Sequence, residues 1–183
     1  MVAVISTKIA DVLLIQLDVY GDDRGYFIET YQQEKYNKVG IPHAFVQDNM
    51  SLSRQGVLRG LHYQIQQPQG KLVQVLKGKI FDLCVDIRKS SPTFRQWVGA
   101  ELSNENNRQL WVPPGFAHGF YVLSEEAYVT YKTTDFYAPQ WERTILWNDP
   151  ELGIEWPLQG DIEPVVSGKD TQGKLLSEAE LFD

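Results

Sequence analysis

A chain of 183 residues that is 43% hydrophobic, 22% charged and 12% aromatic can bury about 70% of the surface its unfolded form exposes, which excludes a disordered or low-complexity protein. Its net charge of −7, without a block of five like charges, excludes an electrostatic footprint for duplex nucleic acid, so any anionic ligand has to be held locally. The single cysteine, Cys84, excludes an internal disulfide, and no stretch reads as a secretory leader at Met1–Lys8 or as a membrane span downstream, so the expectation is one cytoplasmic domain over 1–183.

In chain order, Val12–Leu17 is a short β-branched strand, and Asp22-Asp23-Arg24-Gly25 forms a turn into an alternating strand, Tyr26–Tyr31, with Phe27, Glu29 and Tyr31 on one face. Gln33–Val39 predicts a brief helix stopped by Gly40 and Pro42. Ala44–Ser53 reads as a strand with Gln47 and Asn49 on one face and Val46 and Asp48 on the other. Gly56–Gln64 reads as a buried strand that nonetheless carries Arg59 and His62, and burying such groups is costly unless a partner or ligand satisfies them. Leu72–Leu76 and Lys79–Ile87, joined at Lys77-Gly78, predict a hairpin with Phe81, Leu83, Val85 and Ile87 on one face. Strands follow at Trp97–Leu102, Gln109–Val112, Tyr121–Leu123 and Tyr128–Thr133. The Pro-rich tail from Phe136 reads as loops around a body already complete. Many short strands, turns about every ten residues and little helix predict an all-β, antiparallel sandwich or barrel of jelly-roll type.

Two segments compete for the interior of such a barrel: Gly60-Leu61-His62-Tyr63-Gln64 with Lys71 beyond it, and Pro113-Pro114-Gly115-Phe116-Ala117-His118. Together they resemble the paired motifs of the cupin superfamily. The metal ligands of that pattern are broken here, with Gln64 in place of a second His and Lys71 near the Glu position. An ammonium repels a metal ion and two imidazoles fall short of a stable ligand set, so no metal is expected.

A closer resemblance, spanning nearly the whole chain, is to the dTDP-4-dehydrorhamnose 3,5-epimerases. It is carried by Asp22–Glu29, Gln47-Asp48-Asn49, Gly56–Gln64, Gly70–Val73, Asp82–Arg88, Ser91-Pro92-Thr93, Pro113–Phe120, Tyr131-Lys132 and Lys169-Asp170. The resemblance implies a cofactor-independent epimerase that removes a proton α to the C4 ketone of a dTDP-linked 4-keto-6-deoxyhexose and returns one on the opposite face, at C3 and C5. A relative that inverts only one of these carbons is the alternative. Such chemistry needs a base, a stabiliser for the enolate oxygen and an acid.

By resemblance, His62 is the base, Asp170 its orienting partner and Tyr131 the acid, with Lys71, joined by His118, beside the C4 oxygen. Imidazole suits the first role because it ordinarily titrates near neutrality. Asp82 is a further candidate, to hold Lys71. Arg24 and Arg59 match diphosphate contacts, for which a planar guanidinium is apt. Glu29, Gln47, Asn49, Glu142 and Lys169 match other substrate contacts, while Phe27 and Tyr137 would sandwich the base. In this family the Arg24–Glu29 segment crosses to a neighbouring subunit, which implies a homodimer with segment exchange. Regular alternation would put Arg59 and His62 on opposite faces. Either Gly60 carries a β-bulge that re-aims one of them, or Arg59 reaches around the barrel's rim.

Overall fold

Period-two alternation of β-branched and aromatic residues turns most of the chain into strands, and the computed structural model, which describes residues 2–160 and 163–183, arranges them in two facing antiparallel sheets of jelly-roll type. The strands are β1 (Ala3–Ser6), β2 (Leu13–Gln16), β3 (Tyr20–Asp22), β4 (Gly25–Phe27), β5 (Gln47–Arg54), β6 (Leu58–Gln64), β7 (Lys71–Lys77), β8 (Lys79–Asp86), β9 (Trp97–Ser103), β10 (Arg108–Val112), β11 (Phe116–Val122), β12 (Glu126–Thr133) and β13 (Glu142–Thr144). One sheet runs β1-β2-β10-β7-β12-β5 and the other β13-β6-β11-β8-β9, with β3 and β4 as a separate two-stranded ribbon. Helix α1 (Gln33–Lys38) is capped by the Gln32 side chain, which accepts from Lys35 N–H, and Gly40 follows its end at φ +99° as the helix-stop reading requires. Among the described residues no helix is long and apolar enough to cross a membrane.

The core lies between the sheets, where Val73, Val75, Leu110, Val112 and Val129 of the first meet Ile80, Cys84, Val98, Phe116 and Phe120 of the second. The other face of the second sheet carries Leu61, Tyr63, Leu83, Val85 and Ile87, and these are covered by Ile145, Leu152 and Leu176 of the C-terminal tail. The expectation of a body complete before Phe136 is therefore corrected, because without the tail this apolar layer would stand in water. The tail also adds β13 to the edge of β6.

Three strand readings change as well. The predicted hairpin of β7 and β8 is not a hairpin: β7 pairs with β10 and β12 while β8 pairs with β9 and β11. Gly78 carries the chain across from one sheet to the other at φ +87°, in a corner where an added Cβ would lie 2.0 Å from Glu126 O. The strand expected over Tyr26–Tyr31 ends at Phe27, paired only with β3. Finally, the strand expected over Tyr121–Leu123 begins earlier, at Phe116, so His118 stands on it.

Candidate active site

The two half-motifs are neighbours in space because β6 and β11 pair, with His62 directly opposite His118. One step on, Phe120 is opposite Arg59, so two residues of β6, Gly60 and Leu61, face the single Gly119. This is the anticipated bulge, and it brings Arg59 and His62 to the same inner face. Glycine is demanded on both strands: Gly60 has φ +134°, and a Cβ on it would lie 2.6 Å from Gly119 Cα. The Gly60–Leu61 peptide bond is cis.

Around this bulge opens a cavity of about 350 Å3 lined by Gln47 and Asn49 of β5, His62 and Gln64 of β6, Lys71 of β7 and Tyr131 of β12, with Gln69, Tyr137 and Glu142 at its mouth. His62 Nε2 lies 2.5 Å from Asp170 Oδ1, and the carboxylate is almost wholly buried. Burial works to raise the Asp170 carboxyl, but the hydrogen bond and charge of His62, with help from Ser167 and the Gly60 backbone, hold it below the ordinary range. The carboxylate can only accept this bond, so Nε2 carries the proton and, in the neutral ring, Nδ1 keeps the lone pair.

Lys71 is 8% exposed, and burial pushes its ammonium down to about 8 against the opposing pull of Glu142 and Asp82. Its Nζ donates to His62 O at 3.4 Å. Tyr131 is partly buried; burial raises its phenol, which the nearby Arg59 charge counteracts. Arg59 itself is exposed at the rim, with Nε donating to Ser53 Oγ at 3.0 Å. Burial likewise acts to raise Glu142, but hydrogen bonds from Lys169 and from the Tyr137 hydroxyl, at 2.7 Å for the latter, bring it below its ordinary value.

The site therefore assembles His62, Asp170, Lys71, Tyr131, Gln47, Asn49, Tyr137, Glu142 and Lys169, with Arg59 at its edge and His118 paired to His62 across the strands. Three expected residues are not brought to the cavity by their own chain. Arg24 is 89% exposed at the side chain and paired with Asp22, Phe27 is 67% exposed on the β3–β4 ribbon, and Glu29 accepts from Lys35 Nζ at 2.6 Å. Asp82 is corrected too: its Oδ1 bonds His118 Nε2 at 2.8 Å rather than Lys71, and its Oδ2 is buried without a hydrogen-bond partner. It acts on Lys71 through space.

Gln69 borders the cavity and was missed, because nothing in its loop marks it in the sequence. Gln64 is spent on hydrogen bonds to loops. Among the described residues no group of three or more His, Cys, Asp or Glu is arranged to hold a metal ion.

The comparisons with known proteins converge on one family. The family profile for dTDP-4-dehydrorhamnose 3,5-epimerase matches residues 6–178. A Pseudomonas aeruginosa protein of that name is 59% identical over 175 residues, covering 95% of this chain and 96% of its own. A Legionella pneumophila dTDP-6-deoxy-D-glucose-3,5-epimerase, solved in complex with dTDP-4-keto-L-rhamnose, is 53% identical with a TM-score of 0.95, over 98% of this chain and 95% of that one. A 3′-monoepimerase of Streptomyces bikiniensis, in complex with dTDP-quinovose, is 31% identical with a TM-score of 0.87, over 94% and 87%. With its cupin-like jelly roll, its paired half-motifs and these relatives over nearly its whole length, the chain belongs to the dTDP-4-dehydrorhamnose 3,5-epimerase family.

Proposed function

We propose that this epimerase inverts C3 and C5 of dTDP-4-dehydro-6-deoxy-D-glucose to give dTDP-4-dehydro-L-rhamnose, without a cofactor, as a cytoplasmic homodimer. At each carbon His62 Nδ1 takes the proton α to the ketone, and the C–H electron pair moves into a C=C bond as the C4 oxygen becomes an enolate. The Lys71 ammonium, joined by His118, stabilises that oxygen. Tyr131 returns a proton to the opposite face, and Asp170 holds the imidazole in the tautomer that leaves Nδ1 basic. Supporting the reading above all is one observation: an imidazole oriented by a buried carboxylate, a buried ammonium and a phenol all border the same cavity.

Gln47, Asn49, Arg59, Glu142 and Lys169 bind the nucleotide diphosphate and sugar in this reading, and Tyr137 stacks on thymine. Arg24, Phe27 and Glu29 complete the site of a second subunit by exchange of the β3–β4 ribbon. Support for the exchange comes from the exposure of Tyr20, Tyr26 and Phe27 on that ribbon, far more apolar surface than a solitary two-stranded ribbon needs.

Inversion of one carbon only is the second reading, favoured by the likeness to the 3′-monoepimerase. Incubation with the 4-keto-6-deoxyglucose nucleotide in D2O separates the two. Deuterium at both C3 and C5 is expected, deuterium at one carbon selects the monoepimerase, and no exchange overturns both. His62→Ala is expected to abolish exchange at both carbons, by about a hundred- to ten-thousandfold in rate. Tyr131→Phe should impair inversion while some exchange survives.

A further inference from the structure

Gln64 follows His62 on the inner face of β6, and the residue is 4% exposed. All of its hydrogen bonds run to loops. Nε2 donates to Gln67 O at 2.8 Å and to Phe136 O at 3.2 Å, and Oε1 accepts from Ala138 N–H at 2.8 Å. Between those two anchor points, Tyr137 N–H donates to Gln47 Oε1 at 3.0 Å. Three successive residues of the loop thus hang on two amides that rise from β5 and β6. The far end of Tyr137 is tied as well, its hydroxyl donating to Glu142 Oε2. The ring between these ties is 51% exposed and faces the cavity mouth, so polar tethers rather than packing set its position.

We propose that Gln64 is a positioning residue for nucleotide binding: its buried amide fixes the 136–138 loop so that the Tyr137 ring stands ready as a stacking platform before the ligand arrives. The inference rests on the reading of Tyr137 as the thymine partner. A loop already ordered in its bound form loses less freedom on binding, which raises affinity without a new ligand contact. The amide supplies two N–H donors and an acceptor from one planar group, as these three bonds use; a Glu carboxylate lacks the donors and Met lacks all three. The position that holds a metal ligand in metal-binding cupins serves here as a loop clamp.

The test is dTDP affinity by titration calorimetry for Tyr137→Ala, Gln64→Met and the double variant, with KM and kcat alongside. Loss of a base–aromatic stack weakens binding by about tenfold or more. Gln64→Met is expected to weaken dTDP to about the same degree as Tyr137→Ala, with the double variant no weaker than Tyr137→Ala alone and with KM changed far more than kcat. Wild-type affinity in Gln64→Met beside a weakened Tyr137→Ala overturns the clamp and leaves the stacking role standing, as do effects that multiply in the double variant. Wild-type affinity in Tyr137→Ala overturns the stacking role, and the clamp with it. Should Gln64→Met fail to fold, Gln64→Glu carries the comparison; it keeps the acceptor for Ala138 N–H and loses both donors, and wild-type dTDP affinity in that variant overturns the proposal.

Discussion

At Lys71 the demands of chemistry and of stability oppose each other. The native ammonium releases its proton near pH 8, whereas an unfolded lysine holds it to 10.5, so between those values the unfolded chain binds more protons and stability rises with pH. Activity is expected to have the opposite slope, because in the proposed mechanism it is the protonated form that stabilises the enolate. Turnover is therefore expected to fall above about pH 8 in a rate–pH profile, while the stability of the wild type relative to Lys71→Met climbs from pH 8 to 10.5. Lys71→Met should lose about a hundred- to thousandfold in kcat, the usual cost of removing one preorganised donor. It should melt no lower than the wild type at pH 7; a midpoint several degrees lower would show that the buried ammonium is well compensated. Neither His62 nor Asp170 is legible as a pair from spacing, since 108 residues separate them, and only resemblance joined them. Lys71 was singled out by its place near the Glu position of the cupin pattern, although the strand that carries it was read as starting one residue later, at Leu72.

Among the elements, β6 is where the sequence was most informative. Two chemistry-bearing side chains of opposite parity around a glycine left either a bulge or an arginine reaching around the rim, and the register supplies the bulge, opposite Gly119. Gly60→Ala would force a Cβ to within 2.6 Å of Gly119 Cα at a φ that L residues rarely adopt. It should cost about 3 kcal/mol in urea unfolding, by overpacking and backbone strain together, and should weaken diphosphate binding because Arg59 is re-aimed. The β7–β8 junction was misread because alternation with a Gly turn is common to a hairpin and to a corner between sheets, and it identifies the faces without identifying the hydrogen-bond partners. Just past β8 the chain turns around one carboxylate. Asp86 accepts from Arg88 Nη2 at 2.7 Å, Ser91 Oγ at 2.5 Å and Thr93 Oγ1 at 2.6 Å. Burial would raise this carboxyl, and those bonds overcome it and hold it at about 2. The resulting stability is complete above the unfolded value of 3.8 and is lost as pH falls through 2. Asp86→Asn should cost about 2 kcal/mol at pH 7, and the gap to wild type should close on acidification in a pH series of melts.

At the scale of the whole molecule, the tail and the β3–β4 ribbon were the hardest parts to read: the tail has no periodic pattern, the alternation read over Tyr26–Tyr31 continues as strand only to Phe27, and each acquires meaning only from the surface it covers. The tail packs Leu176 and its neighbours over the second sheet and so delivers Lys169 and Asp170 to the cavity. For the ribbon, the covered surface belongs to a second subunit in the proposed exchange, and subunit mixing tests it directly. If Arg24 serves the partner's site, a heterodimer of Arg24→Ala and His62→Ala subunits contains one site with both lesions and one with neither. Equimolar co-refolding of the two impaired variants should then recover about a quarter of wild-type activity, since half of the dimers are mixed and each has one intact site. If Arg24 instead serves its own chain, every site in every dimer has a lesion and mixing recovers nothing beyond the two variants alone.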